Sequence, residues 1–546
     1  MGGSRFSVNH PALRGFEAVI LFRSVLVLQT HARKGRKMKA KKKKTNENSS
    51  QMTIEGFYAP FAERLSSENR WVKLSRKMPW DKIEEEYLKN IDLKNGRPAI
   101  SSRIAFGACF IRSAENITDE RTVQAIAENP YMQYFLGLKE FDPEPLFDSS
   151  MMVHFRKRFP VNFVADVNEY LCTGKWPEDS RNVDRNESEN DGDDNDNSSG
   201  TPSIELEPDE SDYDANNNSG HLIMDATVAP ANIKYPTDID LLNKSREHLE
   251  KAISIYWELV PHKGHMLPYS KKKARKSFLK LSKDKKWSKN KVRKAISEQL
   301  RYVELAMERL NELRPQFECP DDYLPTWLLR RLKVIPKVYA QQKEMFENGK
   351  RSCEDRIVSL EQPHVRPIVR GKRPNPTEFG QKIHLSVIEG YVYLEQTSWN
   401  NFNESTDLIA CIREYKRRFG VYPKAVLADQ IYRTRFNKLY CKLRGIRLSG
   451  KALGRKNEVQ KEAEKQQMYR DSCERNWVEG KNGLLKTRYG MSRVMSKLDG
   501  SAKTDLVFAI LAMNAFRKLR EELLRLFLRC CRLSMIILRV HERVFQ

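Results

Sequence analysis

Paired cysteines and long hydrophobic runs are both missing from this sequence. Its nine cysteines contain no Cys-x-x-Cys pair, and among them only Cys530 and Cys531 are adjacent. This scatter lacks any zinc-binding spacing and indicates reduced thiols in a cytoplasm. The most apolar N-terminal run, Phe16 to Leu28, carries Glu17 and Arg23, and no stretch reaches the length of a transmembrane helix. We therefore expect a soluble cytoplasmic protein that has no membrane partner.

Acidic residues are too few to balance the basic ones. The chain of 546 residues holds 97 Lys and Arg against 72 Asp and Glu, which is a formal net charge of +25. Such a surplus favours a polyanionic partner. Without a membrane anchor, it indicates nucleic acid and a nucleoid-associated location. A hydrophobic content of 40% excludes a wholly disordered chain, and the length allows roughly two to four domains.

Composition and periodicity divide the chain into segments of different character. The predicted segments are a basic, disordered extension over 1–51, a helical N-terminal domain over 52–172, an acidic disordered linker over 173–220, an α/β domain over 221–523 and a basic apolar tail over 524–546. The linker is the clearest of these. Between Glu178 and Asp214 stand fifteen Asp or Glu and two Arg, a composition that cannot bury enough apolar surface to fold.

Short helices with tight breaks are predicted for the N-terminal domain. Apolar periodicity places helices over 100–114, 119–128 and 131–138, with a break at Asn129-Pro130 and a further helix after Ser149. The last helix carries Arg156, Lys157 and Arg158, which are candidate contacts to DNA phosphates. Two interpretations stay open, a helix-turn-helix-like DNA-binding module and a helical bundle used for dimerisation.

Two acidic residues accompany short apolar runs in the α/β domain. The runs His221–Val228 and Lys424–Ala428 predict buried strands that present Asp225 and Asp429 at their tips. Acids at the ends of two central strands can converge, and Mg²⁺ prefers such hard oxygen ligands. The alternatives are structural, since Asp225 could cap a turn and Asp429 could form a salt bridge with Arg433.

A third acid lies on a predicted helix between two cations. The offsets of Arg475, Glu479 and Lys486 put these side chains on one helical face. A carboxylate flanked by two cations suits a divalent metal together with phosphate, although a solvated helix face would have the same pattern. Three acids of this kind can hold two metal ions that activate a water or hydroxyl in phosphodiester chemistry. Gly480 and Gly483 weaken the helix just after Glu479.

A helical basic insertion separates the first two acids. Residues 238–350 show helical periodicity without a strand pattern, and residues 263–294 contain fourteen Lys or Arg and one Asp. This basic arm is the strongest phosphate-binding candidate in the chain, with a solvated helix face as the alternative. Its named candidate contacts are Lys271, Lys272, Lys273, Arg275 and Lys276.

Five motifs, in order along the chain, carry a resemblance to a known family. They are NPYMQYFLG with DSSMMVHFRKRF, MDATVAPANIKYPTDIDLLN, QPHVRPIVRGK, LADQIYRTRFN and CERNWVEGK. Through them the chain resembles the DDE transposases of bacterial and archaeal insertion sequences, in the insertion-sequence-five and eleven-eighty-two groupings. The likeness runs from about residue 52 to about residue 522.

The resemblance implies an α/β fold with a ribonuclease-H-like catalytic core over 221–523, interrupted by the insertion 238–350 and preceded by a helical DNA-binding domain. It implies that Asp225, Asp429 and Glu479 are the catalytic, metal-binding acids, with magnesium, or alternatively manganese, as cofactor. The family spacing R-x3-E-x6-K matches Arg475, Glu479 and Lys486.

The same resemblance predicts a transposase that binds terminal inverted repeats and catalyses DNA cleavage and strand transfer. The expected partners are double-stranded DNA, as repeats and as target, and a second copy of the chain in a synaptic complex. Related transposases carry Tyr three residues before the Arg of the motif, where this chain has Ser472. The alternatives are an inactive or domesticated DNA-binding derivative and a metal-dependent nuclease without strand transfer.

Overall fold

A computed structural model describes the chain over residues 65–91, 99–177, 217–260, 271–284, 286–370, 376–451 and 458–544. The predicted basic extension lies outside these ranges, as do most of the predicted acidic linker and residues 263–270 and 285 of the basic arm. The chain forms two compact units. One contains residues 233–364, and the other contains the rest of the described chain apart from Ile91 and Ala99.

Short helices make up the N-terminal part of the second unit. They are α1 (Arg70–Ser75), α2 (Trp80–Lys89), α3 (Ser102–Glu115), α4 (Asp119–Glu128), α5 (Pro130–Phe135), α6 (Met151–Arg158) and α7 (Val161–Thr173). Thr118 caps α4 by accepting a hydrogen bond from the backbone NH of Arg121. Asn129 caps α5 immediately before Pro130. The predicted break at Asn129-Pro130 is therefore confirmed.

A mixed sheet of six strands forms the centre of the second unit within the described chain. The strands are β1 (His221–Pro230), β2 (Arg366–Val369), β3 (Thr377–Ile388), β4 (Tyr391–Ser398), β5 (Ala425–Leu427) and β6 (Arg447–Leu448). Strand β3 pairs antiparallel with β1, β2 and β4. Strand β5 pairs parallel with β1, and β6 pairs parallel with β5. The predicted α/β class is confirmed.

One glycine allows the two longest strands to approach closely. A Cβ atom at Gly380 would lie 2.1 Å from the carbonyl oxygen of Ala229. Because glycine lacks this atom, the pairing of β1 with β3 continues as far as Pro230. Asp225 consequently lies inside β1, and the prediction that it ends the strand was wrong.

The unit of residues 233–364 is helical, with its own apolar core. Its helices are α8 (Asp238–Leu259), α9 (Lys271–Ser282), α10 (Lys289–Leu313), α11 (Thr326–Leu332) and α12 (Ile335–Glu347). The buried residues Leu249, Tyr256, Val303, Leu328 and Val338 belong to one continuous cluster. Such a cluster arises because each helix carries apolar residues along one face only.

The remaining helices belong to the second unit with the sheet. They are α13 (Leu408–Phe419), α14 (Arg435–Leu443), α15 (Glu458–Arg488) and α16 (Asp499–Val544). Met224 on β1 packs in a cluster with Leu408 and Ile412 of α13. Since neighbouring residues of a strand point to opposite faces, Asp225 points away from this cluster.

The long helix α16 joins the N-terminal helices to the sheet. Its residues from Leu506 to Ala515 are all buried. The Asn514 amide donates hydrogen bonds to Asn168 Oδ1 of α7 at 2.8 Å and to the Val392 carbonyl of β4 at 2.7 Å. A helix from the end of the chain thus completes a core that begins with its first helices.

Helices α15 and α16 are both long and uninterrupted. Helix α15 runs through Gly480 and Gly483 to Arg488, because packing on the sheet outweighs the low helix propensity of these two glycines. The predicted tail over 524–546 is a continuation of α16 as far as Val544, and it contains no Gly or Pro to end the helix. Among the described helices, none is both long enough and apolar enough to cross a membrane.

Candidate active site

The first two predicted acids lie on neighbouring parallel strands. Ile223 of β1 stands beside Leu427 of β5 in the register. Continuing that register by two residues brings Asp225 level with Asp429, which follows the end of β5. Both residues come after the last paired position between the two strands, where the space between the chains opens. The topology therefore brings Asp225 and Asp429 together, although 204 positions separate them.

Asp225 lies in a surplus of negative charge. Its pKa is raised to about 6, first by burial, then by Glu404 and, more weakly, by Asp429. The influences that lower this pKa are the backbone NH of Ala226 and, more weakly, the charge of Arg370. A half-buried carboxylate with acidic neighbours is a favourable position for a cation, because the cation removes the repulsion that raises the pKa.

Helix α15 crosses this pair and contacts both acids from one face. The Arg475 guanidinium donates a hydrogen bond to Asp429 Oδ1 at 2.6 Å. Seven residues later, Asn482 Nδ2 donates to Asp225 Oδ2 at 3.0 Å. Asn482 is buried, and its Oδ1 has no hydrogen-bond partner. The two contacts hold both carboxylates against the same helix.

These contacts exclude both structural alternatives for the aspartates. Asp225 lies inside a strand and does not cap a turn. Arg433 donates hydrogen bonds to the carbonyl oxygens of Leu448, Ser449 and Lys451. The partner of Asp429 is Arg475.

Glu479 lies on the same helix but contacts neither aspartate. It is exposed and makes no hydrogen bond or ion pair with another described residue. At 3.6 residues per turn its side chain points about 40° round the helix from that of Arg475. Lys486, one turn beyond Asn482, is part of the same face.

The donor chemistry fits a divalent cation only in part. Asp225 and Asp429 offer hard oxygen ligands in a region of excess negative charge. Over the described residues, however, no group of three or more His, Cys, Asp or Glu side chains is placed to hold a metal ion. The two aspartates supply part of a ligand set for a divalent cation, and the participation of Glu479 stays a prediction.

A polar network behind Asp225 was missed by sequence reasoning. Glu404 Oε1 pairs with Lys382 Nζ at 2.9 Å. Its other oxygen accepts a hydrogen bond from Tyr432 at 3.4 Å, and the Tyr432 hydroxyl lies 2.9 Å from His384 Nε2. Glu404 begins a 3-10 turn of three residues, Glu404–Thr406, which no strand or helix pattern singles out. Tyr432 could have been found, because it lies in the LADQIYRTRFN motif.

The basic residues of α6 divide into different roles. Arg156 was predicted to contact phosphate, but it is only 3% exposed. It donates to both carboxylate oxygens of Asp119, at 2.9 and 2.6 Å, so this prediction is corrected to an internal ion pair. Arg158 donates a hydrogen bond to the Tyr87 hydroxyl. Lys157 is exposed and stays a candidate.

The described part of the basic arm is helix α9 and its surroundings. Lys271, Lys272, Lys273, Arg275 and Lys276 are all exposed there. Ala274 and Leu281 form its buried side. A helix with one apolar face and one strongly basic face can pack on the protein and present its charges to phosphates. The role of these basic residues in DNA binding stays a prediction.

Two family comparisons match separate parts of the chain. The family described as "Transposase DDE domain" matches residues 426–515, which include Asp429 and Glu479. The family described as "Transposase domain (DUF772)" matches residues 60–158.

A curated relative is similar to part of the chain. "Uncharacterized protein ORF8 in nfe locus" from Rhizobium meliloti is 33% identical over 87 residues, which are 16% of this chain. The match spans 42% of that relative's length. No solved structure matches the chain.

Proposed function

We propose that this chain binds the terminal inverted repeats of its element and catalyses DNA cleavage and strand transfer. The premise is that it belongs to the DDE transposases of the insertion-sequence-five and eleven-eighty-two type. The observation that carries this proposal is the meeting of Asp225 and Asp429 beneath helix α15. The strand order β4-β3-β1-β5-β6 supports a ribonuclease-H-like core.

In the proposed site, Asp225 and Asp429 hold divalent metal, with Glu479 as a further ligand. Magnesium, or alternatively manganese, would supply Lewis-acid polarisation of the reacting phosphodiester. Arg475 holds one oxygen of Asp429 and leaves the other available. Asn482 does the same for Asp225. Lys486 offsets phosphate charge as a point charge.

The proposal predicts that the purified chain cuts and joins DNA. The substrate is a duplex carrying the sequence that borders the gene, incubated with an unrelated plasmid as target. We expect cut ends and joined products with Mg²⁺ or Mn²⁺, and neither with chelator. Cutting without joining would replace the proposal by a nuclease, and binding without cutting would replace it by an inactive DNA-binding derivative. Joining also requires two ends, so a homodimer is proposed for the active complex.

Removal of the Asn482 amide is expected to lower cleavage by about ten- to a hundredfold. A hydrogen bond to a charged group contributes about 1.5–3 kcal/mol, and each 1.4 kcal/mol is about a tenfold change in rate. The measurement is single-turnover cleavage by Asn482→Ala beside DNA binding by gel shift. Asn348→Ala, at an exposed helix end, is the matched control. Unchanged cleavage by Asn482→Ala would contradict the positioning role.

Neutralising the basic face of α9 is expected to flatten the salt dependence of DNA binding. Each phosphate contact contributes about 0.9 to the slope of log affinity against log salt. Glutamine at Lys271, Lys272 and Lys273 should therefore lower the slope by up to about three. The control carries arginine at the same positions and should keep the slope. An unchanged slope in the glutamine variant would favour the solvated-face interpretation of the arm.

A further inference from the structure

The turn that follows β5 carries Asp429 on an exposed surface. We call residues 429–433 the Asp429 turn. Asp429, Gln430 and Ile431 are all exposed, whereas the next residue, Tyr432, is fully buried. The backbone NH of Tyr432 donates to the carbonyl oxygen of Asp429 at 3.2 Å. The position of the Asp429 carboxylate therefore depends on how firmly the turn is held at Tyr432.

A buried histidine of β3 reaches the Tyr432 hydroxyl. His384 is fully buried. Its Nε2 lies 2.9 Å from the Tyr432 hydroxyl, and its Nδ1 lies 3.0 Å from Asp407 Oδ2. The rings of His384 and Tyr432 are stacked, with centroids 5.7 Å apart. We call Asp407, His384 and Tyr432 the His384 network, and it joins strand β3, the start of α13 and the Asp429 turn.

The chemistry of the partners fixes the direction of these hydrogen bonds. A carboxylate only accepts, so His384 Nδ1 carries a proton and donates to Asp407. In the neutral imidazole, Nε2 accepts from the Tyr432 hydroxyl. In the protonated imidazole, Nε2 donates, and the hydroxyl donates instead to Glu404 Oε2 at 3.4 Å. Tyr432 keeps a hydrogen-bond partner in both states.

Asn437 of α14 holds the backbone of the same tyrosine. Its Nδ2 donates to the carbonyl oxygen of Tyr432 at 2.9 Å and to that of Ser405 at 2.8 Å. Asn437 is buried as well. The segment before α13 is thus connected to Tyr432 twice, at the hydroxyl through His384 and at the carbonyl through Asn437. Buried polar groups that satisfy one another in this way hold a side chain in one orientation.

The place where this network ends points to its role. Burying an imidazole and a phenol hydroxyl costs free energy unless both are hydrogen-bonded, and an apolar pair would fill the space without that requirement. The network ends at Tyr432, three residues from Asp429. Arg475 contacts the carboxylate of Asp429 from α15. The His384 network holds the backbone that carries the same carboxylate.

We propose that His384 and Tyr432 are positioning residues, which fix the Asp429 turn and thereby hold the Asp429 carboxylate beside Asp225. The proposal deepens the proposed function and rests on it, because a fixed carboxylate matters for cleavage only if Asp429 serves the reaction. A displacement of about 1 Å at a reacting group can lower a rate by about a hundredfold. Residues that orient metal ligands likewise change metal affinity or activity by about ten- to a hundredfold when they are replaced.

The test uses the full chain and separates the two hydrogen bonds of His384. In His384→Asn, the amide can replace Nδ1 and keep Asp407 as its partner, but it cannot reach Tyr432. In His384→Gln, the amide extends to the position of Nε2 and keeps Tyr432 as its partner. Tyr432→Phe removes only the hydroxyl. We expect single-turnover cleavage of the gene-border duplex to fall by about ten- to a hundredfold in His384→Asn and Tyr432→Phe, and to stay within a fewfold of wild type in His384→Gln.

The matched control is another buried tyrosine of the same apolar cluster. Tyr415 packs in the cluster that contains Tyr432, and its hydroxyl donates to the carbonyl oxygen of Ser219 at 2.7 Å. Tyr415→Phe therefore removes one buried hydroxyl without touching the Asp429 turn. It should cleave DNA within a fewfold of wild type, and all four variants should keep gel-shift binding of the duplex.

Two further measurements do not depend on cleavage. Amide hydrogen exchange reports local opening, and we expect a peptide covering the Asp429 turn to exchange about tenfold faster in Tyr432→Phe and His384→Asn. The same peptide should exchange at the wild-type rate in Tyr415→Phe and His384→Gln. Mn²⁺ affinity, measured from the electron paramagnetic resonance signal of the free ion, should fall by about tenfold in the first two variants.

Three results would overturn the positioning role. The first is unchanged exchange of the Asp429 turn in Tyr432→Phe, and the second is faster exchange with cleavage as in wild type. The third is an equal loss of cleavage in Tyr432→Phe and Tyr415→Phe, or in His384→Asn and His384→Gln, because the hydrogen bond to Tyr432 would then have no special effect. If wild type neither cleaves DNA nor binds Mn²⁺, the proposed function fails, while hydrogen exchange still decides whether the His384 network fixes the turn.

Discussion

Alanine at Asp225 or Asp429 is expected to lower DNA cleavage by at least about a thousandfold. Metal held by these carboxylates would contribute several kcal/mol to transition-state stabilisation, and each 1.4 kcal/mol is about a tenfold change in rate. Glu479→Ala should have a similar effect if Glu479 completes the ligand set. The measurement is single-turnover cleavage of the end duplex with Mg²⁺, beside gel-shift binding of the same duplex, which should persist.

The control for this prediction is an acid on the same helix. Glu474 lies one turn before Glu479 and pairs with His221 at 2.6 Å. Glu474→Ala should cleave DNA within a fewfold of wild type. Equal cleavage by wild type and Asp225→Ala would contradict the assigned site. If Asp225→Ala loses DNA cleavage and Glu479→Ala cleaves as well as wild type, the site would be restricted to the two aspartates that the fold brings together.

The raised pKa of Asp225 predicts how its substitution affects the stability of the fold. The pKa of Asp225 is raised to about 6 in the folded chain, so the ionised carboxylate opposes folding above that pH. Asp225→Ala should consequently resist urea at least as well as wild type at pH 7 in the absence of metal. Activity lost from a chain that is no less stable cannot be attributed to unfolding.

Methionine at Arg418 is expected to destabilise the second unit by about 3–5 kcal/mol, because it leaves the buried Glu395 without its cation and removes one of the two arginines that pair with Glu169. Arg418 of α13 is almost wholly buried and contacts Glu395 at 2.7 Å and Glu169 at 3.1 Å. Glu169 belongs to α7 and Glu395 to β4. This arginine therefore ties an N-terminal helix to the sheet. Urea denaturation followed by tryptophan fluorescence measures the change.

The loss at Arg418 should depend on pH in a defined direction. Arg418 helps to hold the pKa of Glu395 and of Glu169 below the ordinary value, against the opposite effect of burial. A lowered carboxyl pKa stabilises the fold above the unfolded pKa of about 4.5 and loses that effect as pH falls through the folded pKa. The difference between wild type and Arg418→Met should thus be largest near neutrality and shrink in acid.

A surface pair provides the comparison for Arg418. Arg314 contacts Asp321 at 2.6 Å, and both side chains are more than a third exposed. Arg314→Met should change stability by about 1 kcal/mol or less. Similar effects of the two substitutions would show that the buried network does not hold the N-terminal helices to the sheet.

Local signals predicted much of the secondary structure and part of the site. The caps at Thr118 and Asn129 begin helices where the sequence indicates, because a side-chain oxygen satisfies free backbone NH groups within the same turn. Apolar runs identified the strands of Asp225 and Asp429, although Asp225 lies inside its strand and not at the tip. Helical spacing put Arg475 on the face of α15 that meets the sheet. Each signal depends on residues close together in the chain.

Other features depend on residues that only the folded chain brings together. The prediction for Arg156 was wrong because Asp119, 37 positions earlier, accepts hydrogen bonds from both terminal nitrogens of its guanidinium. Asn482 was not singled out, since an asparagine on a helix carries no signal until a strand 257 positions away presents a carboxylate to it. Glu404 raises the pKa of Asp225 only because the folded chain brings the two carboxylates close together.

The sequence by itself determined the resemblance to a transposase family, the basic character of the chain and the three acidic candidates, because short motifs and composition persist whatever the fold. The tertiary structure decided which candidates meet. Parallel pairing of β1 with β5 brings Asp225 and Asp429 together, and packing of α15 fixes Arg475 and Asn482 upon them. Helix α16 returns from the end of the chain to close the N-terminal core. These outcomes follow from strand register and side-chain packing over long separations, which no local pattern encodes.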